Sequence, residues 1–355
     1  MAERYRIMDF LPVAGLTPLL VIHGPGREPM AKTGMPFSAR QLKQFADYTT
    51  EAVGLSRAYA PLYEIWNEYN MVLGHVMPPD RIVGEGNPSD GRAAVHYARI
   101  AKIGTAAVKA AAPEAKVVVG ASGDDPGWAW TQGIIRHGAL EGADGVSIHL
   151  YNHCMRQPAA DELIARMKDL QQKLKALTDG REVPIYVTEY GWPTGTGRCS
   201  STEENSAPRY AHFILMASAL PWVRGLWLYE LKDESRDLGD LESNFGLFRY
   251  DNTPKPAACF VREAHRMVRG ARRIEITRPA PDVVALRAVM ADHQLVVAWS
   301  TDPARQTRAR FPGPAGPVRQ MCGTELAADA PVPLSAIPVV ARYGLDQSPS
   351  IAFSD

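Results

Sequence analysis

Leu62-Tyr-Glu-Ile-Trp-Asn-Glu68 and Ile185-Tyr-Val-Thr-Glu-Tyr-Gly-Trp192 decide how the chain is read. Each contains a short apolar and aromatic run that ends at a glutamate, the pattern of a strand buried on both faces with a polar residue at its C-terminal end. Similar runs occur at Pro18 to Gly24, Lys116 to Gly120, Gly145 to Leu150 and Gly225 to Tyr229. Between them lie segments with helical period, at Arg40 to Val53, Ala93 to Ala111, Trp128 to His137, Ala160 to Leu177 and Asn205 to Leu220, and a last one follows at Lys255 to Val268. Strands alternating with helices of this length predict βαβ units, hence a parallel sheet or a (β/α) barrel whose C-terminal strand ends converge on one face.

From Arg272 the pattern changes. Val283-Val-Ala-Leu-Arg-Ala-Val, Gln294-Leu-Val-Val-Ala-Trp and Val339-Val-Ala-Arg-Tyr are short β-like runs with turn residues and no helical period between them. The expected organisation is a barrel domain over residues 1–270 and a small β-sandwich over 271–355.

Lys plus Arg (39) balances Asp plus Glu (39), so no overall field favours nucleic acid or an anionic membrane, and a neutral substrate suits the chain better than a polyanion. The early apolar stretch Phe10 to Ile22 carries Pro12, Gly15 and Pro18, which argues against a membrane span or a signal-peptide core. Cys154, Cys199, Cys259 and Cys322 lack the close spacing of a structural zinc site, and their spacing does not indicate a compartment. No glycine-rich phosphate loop and no His/Asp ligand cluster stands at the strand ends, so neither a cofactor nor a metal is expected.

Cleaving a glycosidic bond needs two carboxyl groups flanking the anomeric carbon, one to protonate the leaving oxygen and one ionised to attack or to activate water. Glu68 and Glu189 are 189 − 68 = 121 residues apart, yet a barrel brings both to one rim. A lone glutamate after an apolar strand is most often a solvated surface residue. Two of them, each after a buried strand and beside Trp, Tyr or Asn, are harder to read that way.

The motifs resemble those of a known group. Trp66-Asn67-Glu68 and Thr188-Glu189-Tyr190-Gly191-Trp192 look like the fourth- and seventh-strand signatures of the retaining (β/α)8 glycosidases of clan A, most like family thirty-nine, its relatives encoded with bacterial exopolysaccharide systems, and β-xylosidase-like members. Ser147-Ile-His149-Leu-Tyr151 fits the sixth strand, Leu226-Trp227-Leu-Tyr229-Glu-Leu-Lys-Asp233 the eighth, and Asn244 to Pro256 leads into the last helix. The resemblance runs from about residue 15 to 270 and implies Glu68 as acid/base, Glu189 as nucleophile and Asn67 as partner of a sugar 2-hydroxyl. It also implies His149 or Tyr151 as the group orienting Glu189, with Trp227 and Tyr229 among the sugar-binding residues and Trp227 as the floor of the site. His23, Trp128, Trp130 and Trp192 are weaker candidates for distant subsites. The resemblance suggests a periplasmic or secreted enzyme acting on an oligo- or polysaccharide, although no signal peptide is visible.

If Glu68 ends the fourth strand, Pro18 to Gly24 is the third, and the segment ahead of it is too short for the first two. An arginine expected on the second strand has no counterpart. The chain is therefore expected to lack the first two barrel strands, or to fill their place in another way. An open barrel would expose unpaired strand edges, which makes an inactive, carbohydrate-binding barrel the alternative to a glycosidase.

Overall fold

The computed structural model describes residues 16–24, 36, 38–71, 91–155, 159–302, 304–305, 307–327 and 330–354. They fall into two compact units, whose segments interleave along the chain.

The first unit takes residues 1–151, 167–190 and 222–228. Its centre is one parallel sheet of six strands in chain order: β1 (Leu19–Ile22), β2 (Leu62–Ile65), β3 (Lys116–Ser122), β4 (Gly145–Leu150), β5 (Ile185–Tyr190) and β6 (Val223–Leu226). These are the six strands expected from the sequence. The helices between them are α1 (Ala39–Ser56), α2 (Gly91–Ala111), α3 (Ala129–Arg136), α4 (Ala160–Leu177) and α5 (Glu203–Ala217). This is the strand and helix order of a TIM-like fold. The question of two earlier strands concerns the segment before β1, of which residues 1–15 lie outside the described residues.

Local chemistry accounts for these elements. Ser38 caps α1 in a reciprocal box, its Oγ accepting from Gln41 N at 3.2 Å while Gln41 Oε1 accepts from Ser38 N at 2.9 Å. The buried face of α1 is Leu42, Phe45, Thr49, Ala52, Val53 and Ser56, the spacing of one helical stripe. On β2, Tyr63 turns outward to bond Ser56 of α1 at 2.8 Å, and Ile65 packs beside Gly104 of α2 and Phe45. Leu62 and Glu64 therefore face the other side of the sheet. At the opposite end of the strands, Asp144 accepts from Lys109, Lys116 and Val117 N, joining α2, β3 and the entry to β4.

The second unit takes residues 152–166, 191–221 and 229–355. It contains α5, α6 (Pro256–Gly270) and two antiparallel sheets. One sheet runs β12 (Glu325–Leu326), β11 (Val318–Gln320), β14 (Val339–Tyr343), β9 (Gln294–Ser300), β8 (Val283–Val289) and β7 (Arg273–Ala280), and the other runs β13 (Val332–Pro333), β10 (Arg308–Arg310) and β15 (Ala352–Ser354). Val283, Val296, Ala298, Phe311, Val318, Val339 and Ala341 belong to their shared core. The antiparallel sheets begin at Arg273, close to the expected change at 271, but this compact unit also takes in α5 and α6. Physical ties explain that grouping: Arg319 Nη2 meets Glu263 Oε2 of α6 at 2.7 Å, and His212 of α5 stacks on Trp299 at 4.7 Å. Burial pushes the His212 pKa down to about 4, so it packs as a neutral ring.

All four cysteines are paired, which the sequence spacing did not reveal. Cys259–Cys322 ties α6 to the turn after β11, and Cys154–Cys199 joins the segment after Tyr151 to the one after β5. Closing loops of this length removes disorder from the unfolded chain, and losing such a bond costs about 2–5 kcal/mol in small secreted domains. Among the described residues, no helix is long and apolar enough to cross a membrane.

The Asn244 to Pro256 motif serves this unit as a brace. Lys255 Nζ, almost wholly buried, donates to Asp233 Oδ1 at 2.7 Å, Thr194 Oγ1 at 2.8 Å and the Asn244 carbonyl at 3.2 Å. All three ammonium protons are thus used, the condition under which a buried cation is tolerated. Nearby, burial and then the charges of Glu234 and Asp233 lift the Glu230 carboxyl to about 7, against the pull of Lys255. A carboxyl raised in the native state holds its proton more tightly there than in the unfolded chain. Its contribution to stability is therefore present at low pH and lost as pH rises from near 4.5 through about 7. Glu230→Gln is expected to melt with the wild type at pH 4 and above it at pH 8; equal melting shifts at both pH values would show the carboxyl is not raised.

Candidate active site

The site lies wholly in the first unit, at the C-terminal ends of β2, β4 and β5. After β2 the chain turns sharply: Trp66 and Glu68 adopt φ of 72° and 42°, left-handed values that bulky residues rarely take. Such strain persists only where its surroundings hold it. Here Trp66 N donates to the Ile22 carbonyl and Glu68 N to the Ala121 carbonyl, both at 2.9 Å. Gly123 leaves room for the carboxylate, since a Cβ there would lie 2.8 Å from Glu68 Oε1.

On the other side, the β4–β5 register shifts between Ile148 and His149, so that His149 pairs with Glu189. His149 Nδ1 is hydrogen-bonded to Glu68 Oε1 at 2.8 Å and lies 3.4 Å from Glu189 Oε2. Tyr151 O–H donates to Glu189 Oε2 at 2.9 Å. The imidazole is fully buried, whereas the Glu68 and Glu189 side chains keep 28% and 27% of their surface, so a ligand can reach the carboxylates but not the histidine between them. Burial opposes protonation of His149, yet the Glu68 hydrogen bond and the charges of Glu189, Glu64 and Glu68 outweigh it and raise the imidazole above its ordinary value.

Glu68, His149 and Glu189 each present one donor atom within 4.8 Å of the others. That spacing also suits a divalent cation, although His149 Nδ1 is engaged with Glu68. The arrangement can place a proton donor and a nucleophile on either side of one carbon.

Of the other residues expected at the site, Asn67 is half-buried between Trp66 and Glu68. Trp227 does not join the carboxylate pair through any described contact. Its ring lies over Gly225, where a Cβ would fall 2.3 Å from it, with Tyr186 at 6.4 Å between centroids, and its Nε1 donates to the Thr17 carbonyl at 3.3 Å. The ring is half-buried there, and the small residue on β6 leaves room for it. Tyr229 belongs to the second unit and lies edge-on to Phe245 at 5.4 Å. Trp128, Trp130 and Trp192 are buried, the last donating its Nε1 to Asn152 Oδ1 at 2.9 Å, while His23 is exposed and sits edge-on to Trp66. The Pro78 to Asp90 loop is outside the described residues.

One residue of the site was missed. Glu64 lies on β2, only 1% exposed, and its electrostatic partners include His149 and Glu189. The signal was present: in a buried strand of period two, a carboxylate on the sheet's inner face needs a partner there.

Neither a protein-family model nor a curated protein matches the sequence. Solved structures do. A family 39 glycoside hydrolase from the gut symbiont Bacteroides cellulosilyticus WH2 superposes with a TM-score of 0.71 at 19% identity, over 96% of this chain and 70% of its own. A glucosidase from Croceicoccus marinus gives 0.63 at 11% identity, over 96% and 81% of the two chains. A monomeric β-xylosidase from Caulobacter crescentus CB15 gives 0.60 at 16% identity, over 96% and 84%. At these identities the likeness establishes the fold, which is the one adopted by clan A glycoside hydrolases.

Proposed function

We propose that this protein, built on the fold of the clan A glycoside hydrolases, is a retaining glycosidase that cleaves β-glycosidic bonds of an oligo- or polysaccharide, a bacterial exopolysaccharide being one candidate. The observation that carries this is the spacing of Glu68 and Glu189, which bring carboxylate oxygens within 4.8 Å across His149. Retaining enzymes hold their carboxyl groups about 5–5.5 Å apart, and inverting ones about 6.5–9.5 Å apart to admit a water.

In this reading Glu189 attacks the anomeric carbon while Glu68 gives its proton to the departing oxygen, forming a covalent glycosyl-enzyme. Glu68, now ionised, takes a proton from water, whose oxygen attacks the same carbon and releases Glu189. Tyr151 orients the nucleophile, and Asn67 is placed beside Glu68 to meet the sugar 2-hydroxyl. In this proposal β1 to β6 stand for the third to eighth strands of the barrel. The two disulfides suit a periplasmic or secreted setting, where such bonds persist.

The test is hydrolysis of a panel of aryl β-glycosides followed by proton NMR. The sugar released first should be the β-anomer; the α-anomer as first product would overturn retention. Tyr151→Phe removes a hydrogen bond to a charged group, worth about 1.5–3 kcal/mol, so kcat/KM is expected to fall roughly 10- to 100-fold. A variant within twofold of wild type in steady-state kinetics would remove Tyr151 from the mechanism.

A further inference from the structure

The second unit carries a cleft of its own, between α6 and the six-stranded sheet. Its volume is about 490 Å³, within the roughly 300–1,000 Å³ of pockets that take small molecules. Met267 of α6, Met290 from the β8–β9 turn, Leu295 of β9 and Val340 of β14 give it an apolar floor. Gly270 at the end of α6 makes room for Met290, whose Cε would lie 2.5 Å from a Cβ there.

Three guanidiniums line the same space: Arg266 of α6, Arg319 of β11 and Arg342 of β14. Their placement follows from simple periodicities. Glu263, Arg266 and Met267 are spaced i, i+3, i+4 along one helical face. Arg342 stands opposite Leu295 and Arg319 opposite Val340 in antiparallel register, so these four share one face of the sheet. Glu263 fixes two of the arginines, its Oε2 accepting from Arg319 Nη2 at 2.7 Å and its Oε1 from Arg266 Nη1 at 3.3 Å. Arg342 Nη2 meets Asp292 Oδ2 at 3.5 Å. Three cations therefore share two carboxylates, and each guanidinium has more N–H donors than these bonds occupy. The whole chain is balanced in charge, so the fold gathers this excess locally.

One wall of the cleft is stiff. Pro312-Gly-Pro-Ala-Gly-Pro317 places three prolines in six residues, and it is pinned where Ala315 N donates to the Arg342 carbonyl at 2.7 Å and Gln347 Nε2 to the Gly313 carbonyl at 2.9 Å. A stiff wall and anchored arginines reduce the ordering that binding would otherwise cost.

We propose that this cleft is a second binding site, which takes a carboxylate-bearing sugar residue, the unused guanidinium donors holding the carboxylate and the apolar floor meeting the C–H face of the ring. A lone anion would leave the floor uncovered, and a neutral sugar would leave the arginines' charge unanswered. The sugar body of the ligand rests on the glycosidase reading; the anion chemistry does not.

The test uses the full chain with isotopically labelled methionine methyls, because Met267 and Met290 report the cleft by NMR without turnover. Met267→Leu and Met290→Leu assign the two signals, and Glu189→Gln serves as the parent so that no probe is consumed. The probes are the methyl β-glycosides of glucuronic and galacturonic acid, the same glycosides of glucose and galactose, and inorganic phosphate. At least one uronide should shift both methyl signals saturably, and added NaCl should weaken its binding. The neutral glycosides and phosphate should leave the signals in place at the same concentration. Arg266 and Arg342 keep 69% and 54% of their side-chain surface, so Arg266→Gln combined with Arg342→Gln should melt as the parent does. That double variant should bind the uronide roughly tenfold or more weakly.

Signals that stay fixed with both uronides would sink the proposal. So would equal shifts with a neutral glycoside or with phosphate, or a folded double variant that binds the uronide as the parent does. If no glycoside is hydrolysed by the wild type, the glycosidase reading fails while the methyl shifts still decide the role of the cleft.

Discussion

Glu189→Gln is expected to lower turnover of an aryl β-glycoside on the order of 10⁴-fold or more, the scale lost when a covalent nucleophile is removed. The amide keeps the shape of the carboxylate but carries no charge and is too weak a nucleophile to reach the anomeric carbon. Little else should change. Tyr151 O–H can still donate to the amide oxygen in place of Glu189 Oε2, and the side chain is 27% exposed, so no core contact is emptied. Melting should therefore stay near wild type, and sugar binding measured by calorimetry should persist. Added azide gives a second readout in Glu189→Ala. The small anion can enter the space the carboxylate left and attack directly, so the product should be an α-glycosyl azide, inverted relative to the substrate. A Glu189→Gln enzyme retaining a tenth of wild-type activity would exclude Glu189 as nucleophile.

Glu68→Gln should lose roughly 10²–10⁴-fold in kcat/KM on substrates with poor leaving groups, the usual worth of general acid catalysis. With a dinitrophenyl leaving group, which departs without a proton, the first step should be nearly unaffected and the glycosyl-enzyme should accumulate. This contrast separates an acid from a nucleophile. Azide should relieve the second step in Glu68→Gln and yield a β-glycosyl azide, opposite in configuration to the Glu189→Ala product. His149 Nδ1 can bond the amide oxygen as it bonds Glu68 Oε1, so the site should keep its geometry. Equal losses on good and poor leaving groups would count against Glu68 as the proton donor.

Much of the fold was legible along the chain because its strands are buried on both faces. Val117-Val-Val and Gly145-Val-Ser-Ile-His-Leu read as strands since every position must be covered, and the helices between them show one-sided apolar stripes such as Leu42, Phe45, Thr49 and Val53. Other features had weaker sequence signals. Trp227 carries an ordinary strand-end aromatic pattern, and its turn toward Thr17 depends on the missing side chain of Gly225 and on Tyr186 from the neighbouring strand. The cysteines are 45 and 63 residues apart within their pairs, distances with no local signature.

Glu68 and Glu189 stand out as candidates from local residues, because a carboxylate at the end of a buried strand is a property of a few neighbouring positions. Their partnership does not. That His149 Nδ1 stands between Glu68 and Glu189, and that Tyr151 rather than His149 makes the closer bond to Glu189, depend on the β4–β5 register shift and on the left-handed turn at Trp66 and Glu68. A shift of one residue in register exchanges the faces of a strand. Such a shift is set by packing between strands distant in sequence, and no local stretch encodes it.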